Sequence, residues 1–377
     1  MKLERARTDA LAILAAALRS VDPVARVEAA LRAEPPVGPV VVVGAGKAAA
    51  GMAAGAVRAL GPQVVGGCVV LPDGVTAELP PAIRVVRGDH PVPGARSLDA
   101  GRALLDAVRE LPAGHAIVGL WSGGASAMVE VLRGGVTLES LQQETAAWLR
   151  EGVPIDVINA RRRDWSALKG GGLARATRGR FHNLVVSDVP GDDPALVGSG
   201  PAVTPGDGSR VIASPAHALR GARGEAFGLR YATVVLDPAL SGPARTVGER
   251  VAAAIRAVPA GAPPLCLLCA GEPVVHVTGD GRGGRMQEAA LAAAIGIDGL
   301  PAVVLCAATD GKDGPTDASG ALVDGTSAAR LRLARIGAAE HLQRNDSHPA
   351  LDAVGDLLRS GPTGTNVADL VIALVPG

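Results

Sequence analysis

The sequence predicts an α/β protein of two domains: a parallel sheet with helices on both faces, then a smaller α/β unit. Three observations carry this expectation. At 377 residues the chain exceeds the roughly 250–300 residues over which a single core keeps growing. Apolar residues make up 48% of it and aromatics only 2%, so the core must be built from Ala, Val, Leu and Ile, which suit helices packed on buried parallel strands. Short apolar runs alternate with helix-length amphipathic segments through the N-terminal half, the rhythm of βαβ units.

Asp9-Ala-Leu-Ala-Ile-Leu-Ala-Ala-Ala-Leu18, flanked by Arg19 and Asp22, reads as an amphipathic first helix rather than a leader, because no convincing cleavage site accompanies it. Val40-Val-Val-Val43 is a short strand that Gly44-Ala-Gly-Lys47 turns into an Ala-rich helix reaching Leu60. Cys68-Val-Val-Leu71 and Ile83-Arg-Val-Val86 are further strands. Ser97 is the expected cap of a helix over 98–111. Ala116-Ile-Val-Gly-Leu-Trp121 is a buried strand ending in Ser122-Gly-Gly-Ala-Ser126, and Phe181-His-Asn-Leu-Val-Val-Ser187 ends in Asp188-Val-Pro-Gly-Asp-Asp193. The stretch 206–261 is looser, with a strand at 231–236 and a helix at 244–258. A boundary at its end divides the chain into domains 1–258 and 259–377. Beyond it, strands are expected at 265–270, 274–278 and 302–307, a helix at 287–295, and a last strand, Asp369-Leu-Val-Ile-Ala-Leu-Val375.

Composition narrows the function. Lys plus Arg and Asp plus Glu number 37 each, and a zero net charge argues against a nucleic-acid partner. The scarcity of aromatics also removes base-stacking platforms. No apolar run is long enough to cross a bilayer, so no membrane partner is expected. Cys266-Leu-Leu-Cys269 has the spacing of a redox or zinc motif, but it lies within an apolar run with no second pair and no nearby His. The cysteines read as core thiols, and their small number fits a cytoplasmic location.

Chemistry should gather at strand ends, where open parallel sheets bind ligands. In Gly44-Ala-Gly-Lys47, Gly44 and Gly46 allow close backbone approach, the helix entry favours an anion, and Lys47 adds a positive charge. A dinucleotide fingerprint fits less well: Ala49 takes the third glycine position, and no acid lies near twenty residues on to hold a ribose. Nor is it a Walker loop, because Ala follows Lys47. Ser122, Gly123, Gly124 and Ser126 can cradle a phosphate or carboxylate, or the serines can simply cap a helix. Asp188 stands at a strand tip, upstream of which a basic run, Arg161 to Arg163, leads to Gly170-Gly-Gly172, read as a flexible, ligand-facing loop. Gly279-Asp-Gly-Arg-Gly-Gly-Arg285 brings Arg285 to a helix entry, suited to bidentate contact with an anion. Finally, Asp310, Asp313 and Asp317 crowd the turn after an apolar strand, which points to a hard cation or a substrate hydroxyl, with plain Asp-Gly turns as the alternative. Cations, hydroxyl and amide donors, and acids at strand ends make an inventory for phosphoryl transfer.

These motifs, in this order, resemble the class II glycerate kinases (glycerate 2-kinases), and the likeness spans nearly the whole chain. It rests on Val43-Gly-Ala-Gly-Lys-Ala48, Gly88-Asp-His-Pro-Val-Pro93, Ser122-Gly-Gly-Ala-Ser126, Ile158-Asn159, Leu168-Lys-Gly-Gly171, Ser187-Asp-Val-Pro-Gly-Asp-Asp-Pro194, Gly284-Arg-Met-Gln-Glu288, Thr309-Asp-Gly-Lys-Asp-Gly-Pro-Thr-Asp317 and the tail ending at Asn366. The resemblance implies a Rossmann-like N-terminal domain, a smaller C-terminal α/β domain and an active site in the cleft between them. It implies phosphorylation of D-glycerate to 2-phosphoglycerate with ATP and Mg2+. Lys47 and Arg285 match the positions assigned to catalysis. Gly44, Gly46, Ser122, Gly123, Gly124, Ser126 and Lys169 are the expected substrate and phosphate contacts, and Asp188 and Asp310 the expected metal ligands. A homodimer is compatible with this reading. The chain departs from the usual pattern at Ala125, Ala202, Met286 and the segment Arg161-Arg-Arg-Asp-Trp-Ser166. Two other readings compete: an NAD(P)H-dependent hydroxypyruvate or tartronate reductase, and a non-catalytic anion-binding relative.

Overall fold

The computed structural model describes residues 2–109, 111–150 and 155–377. The chain forms two units. One comprises Asp22–Ala213 with Gly364–Asn366; the other comprises Met1–Val21, Ser214–Thr363 and Val367–Gly377. The first helix of the chain, α1 (Lys2–Ser20), belongs to the second of these.

Six strands build the sheet of the first unit: β1 (Val40–Ala45), β2 (Val64–Leu71), β3 (Ile83–Arg87), β4 (Ala116–Ser122), β5 (Arg180–Val186) and β6 (Arg210–Ala213). Their spatial order is β3-β2-β1-β4-β5-β6, and every neighbouring pair is parallel. β1 and β4 are buried at every position. That is why they read as unbroken apolar runs: helices cover both faces. Val41, Val43 and Ala45 share a core with Ala100, Leu104 and Val108 of α4 (Ala95–Arg109). α2 (Pro23–Ala33) packs with α3 (Ala49–Leu60). α2 starts where Asp22 Oδ1 accepts from the amides of Val24 and Ala25, at 2.8 and 3.3 Å, with Pro23 in its first turn. The connection after β1 runs to β2 on one side and that after β4 to β5 on the other. The carboxyl ends of β1 and β4 therefore form the topological switch point of a doubly wound sheet. Shorter helices follow β4: α5 (Ala125–Met128), α6 (Leu138–Arg150), α7 (Ile155–Trp165) and α8 (Gly172–Arg175).

In the second unit β7 (Ala232–Leu240), β8 (Leu265–Gly271), β9 (Val303–Ala308), β10 (Gly320–Asp324), β11 (Leu357–Leu358) and β12 (Asp369–Val375) lie in the order β11-β10-β9-β12-β8-β7. Only β7 and β8 are parallel; β12 runs antiparallel between β8 and β9. Asp369, the first residue of β12, is opposite Gly271 and Ala308, the last residues of β8 and β9. α9 (Pro215–Gly228) packs on α1, and α10 (Ala244–Arg256) on α11 (Arg285–Gly296). α11 is buried along nearly its whole length through alanines. Its partner comes so close that a β-carbon on Gly248 would sit 2.1 Å from the carbonyl oxygen of Ala289.

Several expectations need correction. The division falls at 21/22 and 213/214 rather than at 258/259, because β7 pairs with β8 and α10 packs on α11, tying 232–256 to the C-terminal strands and helices. The second unit is therefore not markedly the smaller. Residues 274–278 form no strand: Val274 makes a single bridge to Pro243, and Val277 is 76% exposed. Ser97 does not cap its helix from outside. It lies buried inside the first turn of α4, and its Oγ accepts from the amides of Asp89 and Gly94. All four cysteines are free and buried, and burial pushes the Cys68 thiol up to about 11 and those of Cys266 and Cys269 to about 12. Among the described residues no helix is long and apolar enough to cross a membrane.

Candidate functional site

At the switch point the loops after β1 and β4 interlock. The amide of Lys47 donates to the carbonyl oxygen of Gly123 at 2.9 Å, and the amide of Ala48 to Ser122 Oγ at 3.0 Å. Gly46 has φ +125°, and a β-carbon there would lie 2.2 Å from Ser122 Oγ. A β-carbon on Gly123 would lie 1.7 Å from Asp188 Oδ2, which also accepts from Asn366 Nδ2 at 2.8 Å. Gly44, Gly46, Lys47, Ser122, Gly123 and Asp188 are thus brought to one edge. The space that Gly44, Gly46 and Gly123 leave is filled by Leu120 and Ser122 of β4 and by Asp188 beyond β5. Ser122 is wholly buried and holds the start of α3 through Ala48. Lys47 and Asp188 are half-buried.

Beyond the cradle, Gly124 takes the left-handed conformation, φ +86°, that turns the chain into α5. Ser126 Oγ bonds Ser199 Oγ at 2.8 Å, and its carbonyl accepts from Arg162 Nη2 at 2.8 Å. Within the basic run Arg162 is 6% exposed, whereas Arg161 is exposed and Arg163 half-buried. Arg161 stacks 5.1 Å from the ring of Trp148. The side chain of Asn159 lies outside the described residues. Lys169, expected at a ligand, is 1% exposed and paired through Nζ with Oε2 of the equally buried Glu130. Burial pushes Lys169 down to about 8, with Glu130 opposing. Its loop is tied down as well: the amides of Gly170 and Gly171 donate to Ser199 and Gly200 at 2.9 and 2.8 Å.

The second unit has its own charged edge, where β8 and β9 end and β12 begins. Arg285, first residue of α11, donates from Nε and Nη2 to Asp369 at 2.5 and 3.1 Å, and from Nη1 to Glu272 at 2.7 Å. Burial pushes the Asp369 carboxyl up to about 7 although Arg285 pulls it down. The three-carboxylate cluster does not form. Asp313 is 1% exposed and closes the start of α11, accepting from the amides of Met286 and Gln287 at 3.1 and 2.8 Å. Asp317 is exposed and bound by Arg282, Arg359 and His348. Asp310 is half-buried, and its Oδ1 accepts from the Lys312 amide at 3.0 Å. Among the described residues no group of three or more His, Cys, Asp or Glu could hold a metal by itself. The loop 279–284 is strapped to 344–348: the amide of Gly281 donates to Arg344 O at 2.9 Å and that of Arg282 to Asp346 Oδ1 at 2.8 Å.

Sequence reasoning passed over Glu130, Glu272, Asn366 and Asp369 as site residues. For Asp369 a signal existed: an acid opening an otherwise apolar strand is costly and needs a partner.

The strand order and the interlocked switch-point loops define a doubly wound α/β unit, joined in one chain to a mixed α/β unit with charged strand ends. Comparison with known proteins gives the family. The domain of unknown function DUF4147 matches residues 9–216 and the MOFRL family residues 265–369. D-glycerate 2-kinase of Thermotoga maritima is 36% identical, over 89% of this chain and 90% of that one. A protein of Agrobacterium vitis provisionally named hydroxypyruvate reductase is 37% identical, over 89% of this chain and 99% of that one. The crystal structure of glycerate kinase from Thermotoga maritima superimposes with a TM-score of 0.89 at 32% identity, covering 99% of this chain and all of that one. The chain belongs to the glycerate kinase family and is an enzyme of that family.

Proposed function

We propose that this chain transfers the γ-phosphoryl group of ATP in line to the 2-hydroxyl of D-glycerate, giving 2-phosphoglycerate. The observation that carries the reading is Lys47 at the switch point, its backbone bonded to Gly123 and with Asp188 against the same loop, in a family where the Thermotoga relative is named D-glycerate 2-kinase. Phosphoryl transfer needs positioning and charge neutralisation rather than a covalent nucleophile. Lys47 and Arg285 are the two cations assigned to the moving group, and the backbone around Gly44, Gly46, Gly123 and Gly124 is the part that lines the anion.

Asp188 and Asp310 are the carboxylates proposed for magnesium. Both are half-buried and lie just beyond strands at the charged edges of their units. Magnesium keeps several waters and takes only one or two carboxylates beside phosphate oxygens, a donor set to which either residue can contribute. When bound it would neutralise phosphate charge. A cytoplasmic location is part of the proposal and accords with four free, buried thiols.

An ATP-coupled assay with D-glycerate, resolving 2-phospho from 3-phospho product, tests the proposal. Formation of 2-phosphoglycerate is expected; product phosphorylated only at the 3-hydroxyl, or none, rejects it. The names of the Agrobacterium relatives favour a second reading, a hydroxypyruvate reductase. Against it, β2 ends in Leu71, and the first acid beyond, Asp73, has both oxygens bound by Arg96 at 2.8 Å. Steady oxidation of NADH by hydroxypyruvate would establish that reading instead.

A further inference from the structure

Asp369 is 1% exposed and gives both carboxylate oxygens to one partner, the guanidinium of Arg285. A buried ion pair is a poor source of stability, because desolvation offsets most of the attraction. Its geometric effect is larger: two parallel bonds fix the guanidinium plane. The remaining Nη1 of Arg285 is bound by Glu272, and the two acids differ in setting. Asp369 is sealed by strand pairing with Gly271 and Ala308. The side chain of Glu272 is 47% exposed, and that of Arg285 reaches solvent at 31%. An exposed ion pair of this kind contributes little and exchanges readily.

We propose that Asp369 is a positioning residue that holds Arg285 in one orientation, and that Glu272 is a carboxylate placeholder on Nη1 which an anionic group of a substrate displaces. The inference rests on the phosphoryl-transfer reading of Arg285. The displaced position takes an oxyanion, either a phosphate of the nucleotide or the carboxylate of the hydroxy acid. A placeholder lowers apparent affinity by the fraction of time it occupies the site, and it keeps Nη1 of Arg285 paired between turnovers. Asp369 faces Arg285, Glu272 and Asp313. The cluster is thus acid-rich without Glu272, and moving that side chain into water leaves Arg285 still neutralised by Asp369.

Steady-state kinetics of the full chain carrying Glu272→Gln or Asp369→Asn, with ATP and D-glycerate varied in turn, test this. Glu272→Gln is expected to lower one KM by about two- to fivefold, the size of an exposed ion pair. A fall in the KM for ATP assigns the displaced group to phosphate, and a fall in that for glycerate to the carboxylate. Asp369→Asn is expected to lower kcat about tenfold or more while KM changes far less, the mark of an interaction needed in the transition state. An increase of both KM values in Glu272→Gln, or a kcat for Asp369→Asn within about twofold of wild type, overturns the proposal. If Asp369→Asn does not fold, the half-exposed Glu272 variant decides alone. A second arm needs no turnover: inorganic phosphate should raise the melting temperature of Glu272→Gln more than that of wild type. A larger phosphate shift beside a wild type inactive on glycerate rejects the substrate reading and retains the placeholder. Equal shifts reject the placeholder.

Discussion

A β-carbon on Gly123 would lie 1.7 Å from Oδ2 of Asp188, so the loops after β4 and β5 meet at a contact that only glycine permits. Gly123→Ala must displace both the Asp188 carboxylate and the Asn366 amide, whose Nδ2 would lie 2.3 Å from the new carbon. Overpacking of this kind costs about 1–3 kcal/mol. We expect a melting temperature lower by several degrees and, because Asp188 is displaced, turnover reduced about tenfold or more. Wild-type kcat with a lowered melting temperature would show that the position of Asp188 is unimportant to the reaction.

Lys47→Ala and Arg285→Ala should each lower turnover by about tenfold or more, as expected on losing a cation that stabilises transition-state charge. If both serve the same transferring group, the double variant should lose less than the product of the two single losses. Near wild-type rates in both single variants would remove them from the mechanism.

The Asp369 carboxyl, whose ordinary value is 3.8, is pushed up to about 7 by burial, with Glu272 and Asp313 adding and Arg285 opposing. The folded state therefore holds a proton that the unfolded chain has released. This contribution to stability is fully present below the unfolded value, near pH 4, and is lost as pH rises through about 7. Activity should move the other way, rising through the same window as the ionised carboxylate takes hold of Arg285. Asp369→Asn should flatten both limbs, as read by melting temperature and kcat from pH 5 to 8. An acidic limb that persists unchanged in the variant assigns it to another group.

Lys169 offers a test between a structural and a ligand-binding role. Lys169→Met leaves Glu130 buried without its partner, a change that costs about 3–5 kcal/mol. The denaturant midpoint should fall accordingly, and the double variant Lys169→Met with Glu130→Leu should recover much of the loss. A Lys169→Met protein that melts as wild type but has a raised KM would restore the ligand-binding role expected from sequence.

The strands were the most legible part of the chain. β12 begins and ends where the apolar run 369–375 does, and β1, β3, β4, β8 and β9 lie within two residues of their expected limits. Strands buried on both faces leave continuous apolar signatures. The strands β6, β10 and β11, of four, five and two residues, were not legible, because runs that short carry no clear apolar pattern. The charged residues of the site could be named, yet their partners could not. Asp310, Asp313 and Asp317 look alike as a cluster but diverge into a turn bond, a helix cap and a surface ion-pair group. Lys169 reads as a glycine-loop cation but pairs with a glutamate 39 residues away.

The sequence by itself determined the family, the apolar strands and the strand ends where chemistry gathers, because those depend on local composition and spacing. The tertiary structure decided what each charge is bound to and which unit each segment joins. Burial, register and close approach set those outcomes: Asp369 meets Arg285 because β12 inserts between β8 and β9, and α1 joins the second unit because it packs on α9 and against β12 and β9.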